Sequence, residues 1–299
     1  MYRKITIALL TLLLSTSYQP PSWAGRVLDK IRQTGEITAG ARKDSIPFGY
    51  VNDKGEWVGY SIDILELIRK QTEKELGKPI KLKLVEVTPE NRFAKLQDQT
   101  IDIECGSTSF TWERDKVVDF SVSYFSTGTQ LLVDRASALG NLESLAGKKI
   151  GVIPKTTNEK AIQTLQPRAT LITVKDRQEG LEKLEKSEID GFASDGILLE
   201  GLRLKANNPN NYKIVPDYPY MFESYACTLS QDESEWRYIV NYSIVGFMEG
   251  VMTDNSEAIT IYEKWFGSQG VTPYSLENLS GYFNGIINSF EWIPLEGRY

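Results

Sequence analysis

The 299-residue chain contains no histidine. That absence removes the side chain that most often acts as general base near neutral pH or as metal ligand, and with it every Ser-His or Cys-His nucleophile arrangement. Cysteine is nearly as scarce, with only Cys105 and Cys227. Two cysteines without histidine do not complete a zinc site, so neither a metal nor another cofactor is expected. Positive charge is in deficit: 34 Lys and Arg stand against 40 Asp and Glu, and the isoelectric point is near 5.1. Nucleic-acid phosphates demand a basic face, which this balance does not supply. After the first residues, no stretch approaches the roughly 18 uninterrupted apolar residues of a membrane helix.

What is present begins with an export signature. Met1-Tyr2-Arg3-Lys4 is a short basic start, 5–14 is an apolar run, and Ser22-Trp23-Ala24 places small residues at the two positions a signal peptidase reads. Residues 1–24 are therefore expected to be a cleaved signal peptide, releasing a soluble periplasmic chain of about 275 residues. A retained anchor helix is the alternative, and the shortness of the apolar run opposes it. In an exported chain two distant cysteines read as one disulfide, because the compartment is oxidising; two separate buried thiols are the other reading. The length accommodates one large or two medium domains, each with a substantial core.

The pattern then alternates strand and helix. Segment 35–41 reads as a strand, and 60–76 carries Ile62, Leu65, Ile68, Thr72 and Leu76 at the spacing of a helix with one buried face. A strand at 80–84, a helix at 90–97 and a strand at 101–104 complete a βαβ run, which implies a largely parallel sheet. Ligands on such sheets bind beyond the carboxyl ends of the strands, where Arg42, Ser107 and Ser109 fall. After 130–133 the alternation restarts, with strands at 148–153, 169–174 and 190–194 and helices at 158–165, 178–186 and 196–206. A strand at 225–229 leads back to helices at 233–250 and 257–266. The division expected is one lobe of 25–130 with 229–299 and a second of 131–228, joined by two hinge crossings near 127–132 and 224–229. Neither crossing is rich in Pro or Gly, which suits ordered strands. The tail aromatics Tyr274, Tyr282, Phe283, Phe290 and Trp292 read as a packing strap.

Four arginines, Arg42, Arg92, Arg114 and Arg177, stand at the ends of expected elements. An arginine fork grips a carboxylate with two parallel charge-assisted hydrogen bonds, so four converging in an acidic chain suit a small ligand with more than one carboxylate. Taken singly, each reads as a surface ion pair.

Several stretches resemble bacterial periplasmic amino-acid-binding proteins of ABC importers, and among them the glutamate/aspartate-binding proteins. They are Ser45-Ile46-Pro47-Phe48, Val58-Gly59-Tyr60-Ser61-Ile62-Asp63, Asn91-Arg92, Asp102-Ile103-Glu104-Cys105-Gly106-Ser107-Thr108, Glu113-Arg114 with Asp119-Phe120-Ser121, Lys155-Thr156-Thr157, Asp195-Gly196 and Tyr225-Ala226-Cys227. The resemblance runs from about residue 25 to about 267. It implies a two-lobed α/β periplasmic-binding-protein fold, each lobe a mostly parallel sheet flanked by helices. It also implies the Cys105–Cys227 disulfide, a monomer and delivery to a membrane permease. By the same resemblance Arg114, Ser109 and Thr157 hold the ligand's α-carboxylate, and Asp195 with Ser107 meets the α-ammonium. Arg42, Arg92 and Arg177 then face the side-chain carboxylate. A helix N-terminus at Thr157 suits an anion, and a buried ammonium requires an opposing carboxylate. Read without the resemblance, Asp195 is a helix N-cap, and Ser107 and Ser109 are ordinary loop residues.

Two positions depart from the acidic binders. Arg177 stands where they carry a histidine, which keeps the positive charge, and Pro89 stands where they carry a serine, which removes a hydroxyl and can shift the preference between glutamate, aspartate and their amides. The competing readings are a binder of neutral polar amino acids such as glutamine or asparagine, and a periplasmic enzyme on the same scaffold, such as a dehydratase of a cyclic carboxylic acid. The enzyme would need a proton-transfer group, for which Glu113 or Glu223 are the candidates. A receptor's sensing domain is disfavoured, because no membrane helix is visible after residue 267.

Overall fold

Nine strands of the described residues join in one sheet, ordered Lys81–Glu86, Glu36–Ala41, Ile103–Glu104, Met221–Leu229, Asp119–Asp134, Gly191–Asp195, Lys149–Val152 and Thr170–Thr173, with Tyr212–Val215 also paired to Asp119–Asp134, and three short strands form a second, small sheet. This computed structural model describes residues 25–289; the expected leader 1–24 and the aromatics Phe290 and Trp292 lie outside them. Both ends of the sheet are parallel. Glu36–Ala41 pairs with Lys81–Glu86 and Ile103–Glu104, and Lys149–Val152 pairs with Thr170–Thr173 and Gly191–Asp195. Parallel neighbours need crossovers, which the helices Tyr60–Leu76, Thr157–Leu165 and Arg177–Glu185 supply.

The centre is antiparallel. Asp119–Asp134 runs 16 residues, on the order of 50 Å, too long for one half of the molecule. Its first part pairs with Met221–Leu229, and its last part pairs with Gly191–Asp195 and Tyr212–Val215. The two expected crossings are thus longer strands than the sequence pattern marked, hydrogen-bonded to each other from Met221 opposite Thr129 to Leu229 opposite Asp119. The register shifts at Tyr225/Ala226 and at Ala226/Thr228 fall beside the site described below.

Buried apolar side chains divide along the same sheet. One cluster joins Ile37, Leu65 and Ile68 to Trp236, Val240, Ile244 and Phe266, seating the helix Ser234–Met252 on Tyr60–Leu76. Others gather Leu132, Leu181, Phe192 and Leu199, and Leu131, Val152, Ile162 and Ala193. Each fully buried Leu, Ile or Phe contributes roughly 1.5 to 3 kcal/mol, so each half holds a core of its own. The tail strap proves to be a helix, Leu276–Ser289, which buries Leu279 and sets the Phe283 ring 6.0 Å from Phe247. A further helix, Arg26–Thr34, went unmarked in the sequence reading; it buries Val27, Leu28 and Ile31.

Two local devices fix the site's floor. Gly59 adopts φ +149°, and a Cβ there would lie 1.9 Å from the Phe48 carbonyl oxygen. Only glycine allows that approach. It lets Tyr60 and Ser61 donate their N–H groups to the carbonyls of Pro47 and Phe48, tying the small sheet of Asp44–Ser45, Gly49–Val51 and Trp57–Val58 to the start of Tyr60–Leu76. The second device is the Cys105–Cys227 disulfide, which closes 122 residues between the end of Ile103–Glu104 and the strand Met221–Leu229.

Candidate functional site

Element ends deliver the functional side chains, because carboxyl ends of strands and amino ends of helices meet at one edge of such a sheet. Arg42 directly follows Glu36–Ala41, Asp195 ends Gly191–Asp195, and Thr157, Arg177 and Arg92 each open a helix. Ser107 and Ser109 lie in the loop after Ile103–Glu104. Gly106 lets that loop turn over Glu104, since a Cβ at Gly106 would sit 2.7 Å from Glu104 Oε1.

Two of the four arginines meet on an acid of the chain itself. Arg42 donates to Asp44 Oδ1 at 2.6 Å and Arg177 donates to Asp44 Oδ2 at 3.0 Å. Burial alone would raise the Asp44 carboxyl, but the two guanidiniums outweigh it and hold the group well below the usual carboxylate range. Arg177 also donates to Ser45 Oγ at 3.2 Å, and Ser107 Oγ donates to the same hydroxyl. Arg92 turns instead to Thr108 Oγ1 at 2.6 Å, and that hydroxyl donates to Glu104. Burial pushes the Arg92 guanidinium down to about 9, against the pull of Glu104, and the neighbouring Arg114, Arg42 and Arg177 lower it further. It remains charged at neutral pH. Arg114 donates to the carbonyls of Ser109 and, at 3.4 Å, Lys155. The arginines are therefore neighbours, yet they do not close on a single point.

The acids divide the remaining donors. Asp195 is not a side-chain cap of the helix Gly196–Lys205; its carboxylate accepts from Asn158 Nδ2 at 2.9 Å and from the Tyr225 hydroxyl. Burial raises its carboxyl, opposed by those hydrogen bonds and by Arg177 and Arg114. Glu223, on the strand Met221–Leu229, accepts from the hydroxyls of Ser109 and Thr157 on one oxygen and from Thr129 at 3.0 Å on the other. Thr157 lies 2.5 Å from it. Burial, followed by the charge of Asp195, raises Glu223 to about 7.

The eight residues selected from the sequence thus fall in three hydrogen-bonded groups, Arg42, Arg177 and Ser107 around Asp44 and Ser45, Arg92 on Thr108 and Glu104, and Arg114, Ser109, Thr157 and Asp195 around Glu223 and Asn158, which feel one another through their charges. Asp44, Ser45, Glu104, Thr108, Thr129, Asn158 and Tyr225 were not selected, and Glu223 was named only as a possible proton-transfer group. One signal was available for Asp44: it lies only two residues beyond Arg42, within reach of that guanidinium. Of the proton-transfer candidates, Glu113 is exposed and bonded to Lys160 at 2.6 Å, a contact that holds its carboxyl below the usual range. Buried without a partner are Arg92 Nε, Arg177 Nε and Glu104 Oε1. Forked cations, helix N–H groups and a buried acid can together receive a small zwitterion.

Comparison with known proteins places the fold and the family. Residues 37–268 match the family of bacterial extracellular solute-binding proteins, family 3. The chain is 34% identical over 274 residues to the glutamate/aspartate import solute-binding protein of Salmonella typhimurium, covering 88% of each chain. It is 29% identical to a glutamine-binding protein of an ABC transporter from Bacillus subtilis, covering 80% of this chain and 84% of that one. Among solved structures, an ancestral amino acid-binding protein described as a precursor of cyclohexadienyl dehydratase superposes with a TM-score of 0.68 at 25% identity, covering 80% of this chain and 98% of that one. The chain belongs to family 3 of the bacterial extracellular solute-binding proteins.

Proposed function

We propose that this chain is the extracytoplasmic solute-binding component of an ABC importer, which takes an acidic amino acid, glutamate or aspartate, into the cleft between its lobes and delivers it to a membrane permease. It acts as a periplasmic monomer after loss of residues 1–24, with the lobes divided at 130/131 and 228/229. Arg114, Ser109 and Thr157 receive the α-carboxylate, and Asp195 with Ser107 receives the α-ammonium. Arg42, Arg92 and Arg177 face the side chain.

One observation carries the acidic preference. In the side-chain region the buried Nε groups of Arg92 and Arg177 have no hydrogen-bond partner. A ligand carboxylate offers them two acceptor oxygens. An amide offers one, and a cationic side chain offers none and adds to the positive charge of the guanidiniums.

A thermal-shift panel of the common amino acids, followed by calorimetry, tests this reading, because a ligand that binds only the folded state raises its stability with concentration. Glutamate or aspartate should give the largest shift and bind at least about tenfold more tightly than its amide. An equal or larger shift with glutamine would move the chain to the neutral binders. The enzyme reading draws on Glu223, a buried acid tuned to about 7; products of a cyclic carboxylic acid incubated with the protein would support it, and their absence retains the transport reading.

A further inference from the structure

Ser109 and Thr157 each carry one hydroxyl proton, and both spend it on the same oxygen of Glu223. Thr129 donates to the other oxygen, so the carboxylate is held by three hydroxyls while only 7% of the residue is exposed. These are two of the donors assigned above to the ligand's α-carboxylate. A carboxylate already sits in that seat, and it belongs to the protein.

We propose that Glu223 is a resident competitor for the α-carboxylate seat: an amino acid binds by taking the Ser109 and Thr157 hydroxyls from it, and Glu223 gains a proton as this happens. The inference rests on the reading of Ser109 and Thr157 as α-carboxylate donors, and it does not depend on which side chain the ligand carries.

The charges around Glu223 favour that exchange. From the turn after Ser109, Arg114 faces it; from the end of Gly191–Asp195, Asp195 does; from its own strand, the Tyr225 hydroxyl does. The helix Thr157–Leu165 and the strand Asp119–Asp134 offer it only the neutral Thr157 and Thr129, with Asn158 bridging Thr129 to Asp195. Glu223 and Asp195 therefore share Arg114 before any ligand enters, and Arg177 faces Asp195 as well. A ligand α-carboxylate would bring a third anion, which the low-dielectric site tolerates poorly. A neutral Glu223 gives up its hydroxyl donors at less cost, and its own O–H becomes a donor. In the free protein the group titrates at about 7, so one pH unit below neutrality prepares the seat and one above obstructs it. No imidazole exists in the chain to produce the same dependence.

If the complex binds one proton more than free protein with ionised Glu223, affinity falls as pH rises. By linkage it drops about tenfold between pH 6 and pH 8, with uptake of about half a proton per ligand at pH 7. Calorimetry on the mature chain tests this with glutamate and with glutamine, in buffers of different ionisation enthalpy, on the parent and on Glu223→Gln. The expected result is proton uptake by the parent, its loss in Glu223→Gln, and tighter binding by that variant at pH 8. Binding by the folded parent without proton uptake overturns the proposal, as does weaker binding by Glu223→Gln at every pH, which would place Glu223 on the ligand's ammonium. Proton uptake seen with glutamine alone would sink the acidic preference and leave this inference standing. Tight glutamate binding with no uptake would do the reverse.

Discussion

The Arg177 guanidinium donates to Asp44 Oδ2 at 3.0 Å, joining the first residue of the helix Arg177–Glu185 to a strand 133 residues earlier in the chain. The contact has two consequences. It ties the helix Arg177–Glu185 to the small sheet that carries Asp44, and it occupies one edge of a guanidinium that the proposed function turns to the ligand's side chain.

Arg177→Met separates the two consequences. It should weaken glutamate or aspartate by more than tenfold and their amides far less, because the truncation removes a charge-assisted partner and leaves Asp44 less compensated. Calorimetry on the four ligands reads the difference. Equal weakening of acid and amide would assign Arg177 to the tie with Asp44 alone.

Asp44→Asn should act in the opposite sense on preference. Freed of a competing carboxylate, Arg42 and Arg177 both turn to the ligand, and the ratio of acid to amide affinity should rise. The acid side of the stability curve should change as well. A carboxyl held below its unfolded value contributes stability that is complete above about pH 4 and is lost as the pH falls further, so the parent's melting temperature should decline in acid more steeply than the variant's. Parallel curves would mean that Asp44 is not the group responsible.

Arg114→Ala should abolish binding of every amino acid, since the α-carboxylate is common to all of them and loses its forked partner. A dissociation constant within about threefold of the parent's, less than about 1 kcal/mol, would remove Arg114 from the site.

Asp195→Asn tests the ammonium seat. Leaving a buried cation without its counter-charge costs roughly 3 to 5 kcal/mol of binding, and the helix Gly196–Lys205 should be unaffected because Asp195 makes no side-chain cap. A loss under about 1 kcal/mol, with lowered thermal stability, would return Asp195 to a structural role.

Reduction of Cys105–Cys227 should act on the scaffold. Opening a loop of 122 residues releases up to about 4 to 5 kcal/mol in the chain-entropy model, enough to lower the melting temperature by roughly 10 °C. Affinity should change much less. Peptide mapping without reductant, followed by melting and titration of the reduced protein, checks both parts; a large loss of affinity at unchanged stability would contradict them.

Much of this protein follows from local pattern alone. The helix Tyr60–Leu76 and the restart of βα alternation after residue 130 were legible because a 3.6-residue or two-residue period is a property of consecutive side chains. Arg42, Arg92, Arg114 and Arg177 could be singled out because they stand at the ends of expected elements, whereas Thr157 and Asp195 were marked by the resemblance to amino-acid-binding proteins. The length of Asp119–Asp134 was hidden, since that strand changes partners midway and its burial pattern follows two environments in turn. Asp44 and Glu223 were hidden for a related reason. Nothing near either residue in sequence reveals that Asp44 meets a guanidinium 133 positions later, or that Glu223 meets hydroxyls 114 and 66 positions earlier. Charge can be counted along a chain, but which charges cancel depends on distance and burial, and those exist only once the halves have closed on each other.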